Sequence, residues 1–268
     1  MLVKLLKHEF WATGRIFLPF YLAVLATGVL TGLLGIIGGQ ENTLVAVVAA
    51  FTWFAYIFSI VAALVVTFVV IVVRFYRNFL SDEGHLMFTL PVTRHQLVLS
   101  KIIVSFTWQL VSILVSLLSI VMVAVTWVSP AAWAEFSELI GQIISGMFLH
   151  LDGVGVFISM SLLTIPVSVL SSILMVYAAM AIGQLFSSSR VLMSVIAYFV
   201  LYSIVTLMGS VVAIPLFLSG MGTRAHFDGA YFELLARVLL VDNIVVIIFG
   251  IVCYFVTVHL LSKRLNLL

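Results

Sequence analysis

Long apolar runs separated by short polar breaks dominate the pattern along this 268-residue chain. Between Ile16 and Val73 the only charged residue is Glu41, which lies in a polar stretch typical of a turn. A helix needs about 20 apolar residues to cross about 30 Å of hydrocarbon, so runs of this length predict membrane spans. The six predicted spans are residues 16–38, 44–73, 102–128, 153–183, 191–218 and 238–261.

The composition agrees with this pattern. Apolar residues make up 64% of the chain, charged residues 8%, and the mean hydropathy is +1.34. A soluble domain carries about a quarter charged residues to cover its water-facing surface, which argues against a soluble enzyme, a nucleic-acid-binding protein and a disordered chain. We predict an all-α polytopic membrane protein whose residues 1–268 form a single transmembrane domain.

The basic residues predict the orientation, because lysine and arginine are retained on the cytoplasmic side of a membrane. With the N-terminus inside, ten basic residues fall in inner segments, and only Arg224 and Arg237 fall in outer ones. Six spans also return the C-terminus, with Lys263 and Arg264, to the inner side. We expect both termini to be cytoplasmic.

Residues 1–15 predict an amphipathic helix lying in the inner membrane interface. Its apolar residues interleave with charges, unlike the unbroken apolar core of a cleavable signal peptide. The alternative is a basic flank that only anchors the first span. On a helical wheel, the residues that cluster on one side are Leu2, Val3, Leu6 and Phe10, opposite Lys4 and His8.

The predicted cytoplasmic loop at residues 74–101 carries helix punctuation of its own. Ser81 is a plausible N-cap, and Pro91 disfavours helical geometry at the preceding residue, so a short helix is expected at residues 82–89. Thr93 and Gln96 match a capping box that would begin the third span. The short helix is apolar at Leu86, Met87 and Phe88. Either the cytoplasmic ends of spans two and three or a partner protein must cover this apolar surface.

This loop resembles a known family. The stretch from Phe79 to Arg94, followed by Ser100-Lys101-Ile102, resembles the permease subunits of bacterial ATP-binding-cassette exporters, in the export-type branch with six spans per protomer. The resemblance implies a cytoplasmic coupling hairpin whose short helix docks on a separate ATPase subunit. The implied coupling residues are Ser81, Asp82, Glu83, Gly84, His85, Leu86, Met87, Phe88, Thr89, Leu90 and Pro91.

The same resemblance implies partners and a location. The expected partners are two copies of a cassette ATPase, a second permease protomer in a homodimer or heterodimer, and the lipid bilayer, but no nucleic acid. The location would be the bacterial inner membrane. The chain has no Gly-x-x-x-x-Gly-Lys-Ser/Thr phosphate loop, so we expect no enzyme activity and no bound cofactor here, with ATP and Mg on the partner ATPase.

Polar residues inside spans three and four predict helix-packing seams, because they recur about every 3.5 residues. These residues are Ser105, Gln109, Ser112, Ser116 and Ser119, then Ser161, Thr164, Ser168 and Ser171. In span five a spacing of four fits either a curving cavity wall or ordinary packing. The resemblance implies that spans two and five enclose the substrate path. The path candidates are Thr52, Trp53, Tyr56, Ser59, Ser194, Tyr198, Tyr202, Thr206 and Ser210.

Ionisable residues are scarce within the spans. Asp242 and His259 are expected to reach the two interfaces from the ends of span six. A proton-coupled carrier keeps such a group near mid-membrane, so the pattern favours an external energy source and an apolar or amphipathic substrate such as a peptide, lipid or drug.

The outer segments contain two His-x-Asp triplets, at residues 150–152 and 226–228. Both donor types bind zinc, but this spacing is common by chance, and no metal site is predicted. Two further helices are expected here. One lies on the outer surface around Trp133, Phe136, Leu139, Ile140 and Ile143, and a short one dips back around Phe227, Tyr231, Phe232 and Leu235.

The leading functional hypothesis is the membrane-spanning subunit of an ATP-driven exporter, with alternating access to a cavity at the dimer interface. The alternative is a six-span substrate-binding, accessory or immunity membrane protein without transport of its own. An intramembrane protease is disfavoured, because no pair of catalytic groups appears at membrane depth.

Overall fold

The described residues form seven α-helices. The computed structural model describes residues 2–37, 43–80, 93–127, 130–149, 153–186, 189–221 and 229–263. The helices are α1 (Leu2–Ile37), α2 (Thr43–Leu80), α3 (Arg94–Trp127), α4 (Pro130–Leu149), α5 (Gly153–Gly183), α6 (Arg190–Met221) and α7 (Gly229–Lys263). The all-α prediction is therefore confirmed for these residues.

Six of the described helices are long and apolar enough to cross a membrane, which confirms the predicted number of spans. They are Leu5–Ile36, Leu44–Leu80, His95–Trp127, Gly153–Gly183, Arg190–Leu218 and Phe232–Leu261. The remaining helix, α4, covers the segment where an outer surface helix was expected.

Several helices extend beyond the predicted spans. The segment predicted as a loop at residues 74–101 is helical up to Leu80, and it is helical again from Arg94, where the Thr93–Gln96 capping box predicted a helix start. The predicted spans stop at charged residues, but lysine, arginine and glutamate are good helix formers, so backbone hydrogen bonding continues through them. Among the described residues of the segment 74–101, Thr93 is the only one that is not helical.

The N-terminal segment is not a helix of its own. α1 runs for 36 residues without a break near Arg15. The guanidinium of Arg15 lies 3.5 Å from the ring centre of Trp11, one turn earlier, which supports the helix at the expected boundary. A helix of this length measures about 54 Å, more than the hydrocarbon thickness, so its amphipathic turns continue directly into the first span.

The short helix expected before span six is likewise part of a longer one. α7 is continuous from Gly229 to Lys263. Glu233 and Arg237 form an ion pair of 2.6 Å across one helical turn there, and no proline interrupts the segment. Phe227, which was assigned to the short helix, lies outside the described residues.

One compact unit consists of residues Met1–Arg74 and Ile103–Glu138. Within it, α1 approaches α3 through glycines. A Cβ atom added to Gly35 would lie 2.5 Å from Nε1 of Trp127, and one added to Gly28 would lie 2.7 Å from Oγ of Ser119. Only glycine permits such an approach without displacing the neighbouring side chain.

The predicted polar seam on α3 is confirmed in this unit. Four of its five residues are buried, namely Ser105, Ser112, Ser116 and Ser119. Thr67 donates to the hydroxyl of Ser112 at 3.4 Å, and Ser119 is 3.1 Å from the hydroxyl of Tyr56. The polar side chains thus join α3 to α2.

The second compact unit consists of residues Phe75–Ile102 and Leu139–Leu268. In it α5, α6 and α7 pack on one another. Ser171 of α5 donates to the carbonyl oxygen of Val246 at 3.0 Å, and Asn243 donates to Thr164 at 2.9 Å. The seam predicted on span four is confirmed at these two α5 positions, but Ser168 is exposed, because α7 contacts only part of that row.

Candidate functional site

The predicted coupling residues, Ser81–Pro91, lie outside the described residues, as does the short helix expected at 82–89. The described residues therefore do not test the coupling prediction. The structure describes the two helix ends that flank them, the last turns of α2 and the first turns of α3.

The end of α2 is buried through aromatic stacking in the second unit. The ring of Phe75 stacks on Tyr177 of α5, with centroids 3.8 Å apart and an interplanar angle of 14°. Phe79 packs one turn later, with its ring centroid 5.0 Å from that of Phe75. Both phenylalanines are 1% exposed. This end of α2 is therefore attached to the C-terminal part of a candidate span, α5, six residues before its last residue, Gly183.

The start of α3 is attached to α7. Nδ1 of His95 is 3.0 Å from the hydroxyl of Tyr254. The predicted capping box is confirmed: Gln96 N donates to Oγ1 of Thr93, and Thr93 N donates to Oε1 of Gln96, both at 3.4 Å. The reciprocal bonds satisfy donors at the helix start and explain why α3 begins here.

The path candidates on α2 lie in the first unit and contact α1 and α3. Tyr56 is buried and bonded to Ser119, and the hydroxyl of Ser59 is 2.8 Å from that of Thr27. The carbonyl oxygen of Thr52 accepts from Thr31 at 3.3 Å. Trp53 packs edge-on against Trp127, with centroids 5.5 Å apart. All four take part in packing within that unit.

The path candidates on α6 lie in the second unit and are more exposed. Only 6% of this candidate span is buried, the lowest fraction of the six. Tyr202 is 53% exposed, and its ring stacks on that of Tyr198 with centroids 6.4 Å apart. Their row thus lies on a helix with an open face. The hydroxyls of Ser194, Thr206 and Ser210 bond to carbonyl oxygens of α6 itself.

Asp242 was expected to reach an interface from one end of span six. Asp242 lies 13 residues after Gly229, the first residue of α7, and 10 residues after Phe232, where the candidate span begins. Its Oδ1 lies against Gly209 of α6, where an added Cβ would be 2.7 Å away. The neighbouring Asn243 is 4% exposed and bonded to α5. These contacts place Asp242 where α6 and α7 pack together, and its predicted position at an interface stays a prediction.

A metal site has no support in the described part of the chain, where no group of three histidine, cysteine, aspartate or glutamate residues could hold an ion. The two His-x-Asp triplets, at residues 150–152 and 226–228, lie entirely outside that part. The prediction about them stays untested.

Six long apolar helices in an all-α fold define a polytopic membrane protein. Comparison of the chain with protein-family models, with curated proteins and with solved structures finds no match. Helix length and hydropathy thus establish the class of protein. They do not establish a more specific function.

Proposed function

We propose that this chain is the membrane-spanning permease subunit of an ATP-driven exporter. Two permease protomers, identical or similar, would combine with two cassette ATPase subunits. The ATPases would bind ATP and Mg and carry out hydrolysis, while this chain would bind no cofactor. The substrate would be apolar or amphipathic, such as a peptide, a lipid or a drug.

The attachment of the α2 end to α5 carries this proposal. Phe75 and Phe79 belong to the same compact unit as α5, α6 and α7, and the Phe75–Tyr177 stack is buried. The start of α3 contacts α7 through His95 and Tyr254. A force applied to residues 81–91 would therefore reach α5 and α7 through packed side chains.

Tight packing would transmit such a force from the coupling segment to the helices that it contacts. Protein interiors are close-packed, so a displacement of a buried ring moves its neighbours instead of being absorbed. ATP-driven closure of the ATPases would push the coupling segment, and the α5–α7 group would move with it. That motion would shift access to a central cavity from the inner to the outer side of the membrane.

The open face of α6 supports a second protomer. Tyr202 and Thr206 are exposed on this helix. The hydroxyl of Thr206 is bonded within α6, but polar side chains within a membrane still usually face protein or water. A face that combines hydroxyls with aromatic rings suits one wall of a cavity that a second permease would complete.

The expected setting is a bacterial inner membrane with both termini in the cytoplasm. This orientation follows from the positions of the lysines and arginines. It places the 81–91 segment on the side where ATP is available.

Co-purification with an ATPase tests the proposal. The tagged chain is co-expressed with the cassette ATPase subunits of its own genome, purified in detergent, and assayed for bound ATPase and for ATP hydrolysis. We expect equal numbers of the two subunits. Replacing Leu86, Met87 and Phe88 together by glutamate should reduce ATPase retention at least tenfold, because an apolar docking surface would become charged.

A matched variant separates docking from general damage. The apolar exchanges Leu86→Ile, Met87→Leu and Phe88→Leu keep the hydrophobic surface and should keep the ATPase bound. Full ATPase retention by the glutamate variant would refute the coupling assignment. A chain that retains no ATPase at all would favour the substrate-binding, accessory or immunity alternative.

A further inference from the structure

One side of α1 changes along the helix from basic and aromatic near its start to apolar within the span. Lys7, Trp11 and Arg15 follow one another at a spacing of four residues, and Leu18 and Leu22 continue the row. With 3.6 residues per turn, these five positions fall within about 80° of one another around the helix. All five side chains are exposed, Trp11 to 65%. We call this row the α1 stripe.

The first unit packs against a different side of α1. Phe17 and Val24 are 1% and 0% exposed there. The hydroxyl of Tyr21 donates to the carbonyl oxygen of Trp108 on α3 at 3.2 Å. The stripe is therefore left open while the buried side of α1 joins the rest of the unit.

The two cations of the stripe are not neutralised within the described part of the chain. There, neither Lys7 nor Arg15 forms an ion pair or a side-chain hydrogen bond. The one acid of α1 is Glu9, which is paired with Arg74 of α2 at 3.1 Å. The neighbouring His8 is also exposed and can only add positive charge. The stripe thus presents two cations that an external anion could neutralise.

Trp11 holds the guanidinium of Arg15 in an orientation that suits a phosphate. Cζ of Arg15 lies 3.5 Å from the centre of the Trp11 ring, a separation that places the flat face of the guanidinium on the indole. The N–H donors of arginine lie in the guanidinium plane, so stacking leaves its edge free. That edge can donate two parallel hydrogen bonds to two phosphate oxygens.

The dimensions of the stripe match those of a phospholipid within one leaflet. Ile36, the last residue of the candidate span, is about 32 Å from Arg15 along the helix, so a hydrocarbon layer of about 30 Å fits between them. Arg15 then lies at headgroup level, with Lys7 about 12 Å further from the hydrocarbon. Leu18 and Leu22 lie on the opposite side of Arg15, at the level of the acyl chains.

We propose that Lys7, Trp11, Arg15, Leu18 and Leu22 form a binding site for a phospholipid with a net negative headgroup. The phosphate would accept hydrogen bonds from Arg15, and Lys7 would supply a second positive charge. One acyl chain would lie along Leu18 and Leu22. The site goes beyond the proposed function and does not depend on it, since a membrane protein without transport activity could use it equally.

Native mass spectrometry of the full chain tests the site. The purified protein in detergent micelles is titrated with dioleoylphosphatidylglycerol or dioleoylphosphatidylcholine, which share their acyl chains but differ in net charge. The dissociation constant of the first bound lipid is measured for each. We expect phosphatidylglycerol to bind at least fivefold more tightly. The double substitution Lys7→Gln and Arg15→Gln should bring the two dissociation constants within twofold of each other.

Single variants distinguish this site from a general attraction of anionic lipid to positive charge. Arg15→Lys keeps the charge but loses the planar fork, so it should weaken phosphatidylglycerol binding about threefold. Trp11→Leu stays apolar but no longer orients Arg15, and a similar loss is expected. The matched control is Arg190→Gln in α6. Arg190 is also exposed, but within the described residues no aromatic ring lies against it, so the affinity should change less than twofold.

Equal affinity of the original chain for the two lipids would overturn the inference. An equal loss in the Arg15→Gln and Arg190→Gln variants would also overturn it, because charge alone would then explain the binding. Glycerol 1-phosphate has the phosphate without the acyl chains, and competition by it as strong as that of the lipid would indicate a site for soluble phosphate instead. If the double variant does not fold, the comparison of Arg15→Lys with Arg190→Gln decides.

Discussion

The ring of Phe75, near the end of α2, stacks on the ring of Tyr177, near the C-terminal end of α5, with centroids 3.8 Å apart. The two residues are 102 positions apart in the sequence (177 − 75), and both are 1% exposed. Large buried aromatic side chains contribute much of the packing energy of a helical protein. This stack therefore makes the helix end before residue 81 a rigid part of the second unit.

Removal of the Phe75 ring should destabilise the second unit. We expect Phe75→Ala to reduce the free energy of unfolding by about 3–5 kcal/mol, because it leaves a cavity beside Tyr177. The measurement is thermal or denaturant unfolding of the purified chain in detergent micelles. Phe54→Ala is the control, since Phe54 is 75% exposed. A similar loss in both variants would contradict a structural role for the stack.

The close approach of α1 and α3 should not tolerate a methyl group at Gly35. The indole of Trp127 would have to move, although its Nε1 donates to the carbonyl oxygen of Thr31 at 3.0 Å. We expect Gly35→Ala to lower the free energy of unfolding by about 1–3 kcal/mol.

The matched control for this substitution is Gly141→Ala in α4, where the methyl group enters open space. Alanine is the better helix former, so this variant should be unchanged or more stable by up to about 1 kcal/mol. The same unfolding measurement serves for both. Equal stability of the two variants would show that α1 and α3 do not pack through Gly35.

The ion pair between Glu9 of α1 and Arg74 of α2 should contribute more than a surface pair. Its Nη1–Oε2 distance is 3.1 Å, and the side chains are 17% and 28% exposed. The Glu233–Arg237 pair is more exposed, with side chains at 53% and 68%. Water screens the second pair more strongly, so its coupling energy should be at most about 0.5 kcal/mol.

A double-mutant cycle measures each pair. Glu9→Gln, Arg74→Gln and the double variant are unfolded in parallel, and the cycle isolates the pairwise energy from other contacts of Glu9. We expect a coupling of about 1 kcal/mol or more that weakens only slightly in 0.5 M salt. A coupling no larger than that of Glu233 and Arg237 would mean that the first pair is equally well solvated.

Water should reach the polar face of α6 if it lines a substrate path. In a Cys253→Ser background, Thr206→Cys should react with a hydrophilic maleimide at least tenfold faster than Leu207→Cys, measured in native membranes. Both side chains are exposed on α6, but they point about 100° apart around the helix. Equal, slow reaction of both would show that lipid or packed protein covers the α6 row.

Much of the fold could be predicted from local pattern. The number of spans follows from the lengths of the apolar runs, and the start of α3 follows from the Thr93–Gln96 spacing. The burial of Ser112, Ser116 and Ser119 follows from their periodicity, because a helix places such residues on one face. These features depend on residues within a few turns of each other.

The separate helices expected before the first and last spans are instead the first turns of α1 and α7. A change from apolar to charged residues marks the edge of the hydrocarbon, but a helix ends only where its backbone groups find other partners. α1 and α7 therefore continue as helices through their charged turns.

The sequence by itself determined the class of protein, since hydropathy and run length depend on composition alone. Only the tertiary structure decided which side chains meet: Phe75 with Tyr177, Tyr56 with Ser119, and Asp242 with Gly209. Helix periodicity shows that a residue lies on a face, but the partner of that face is set by the packing of helices far apart in the chain. That is why the sequence could not show that Tyr56 bonds to Ser119 or that Asp242 lies against Gly209.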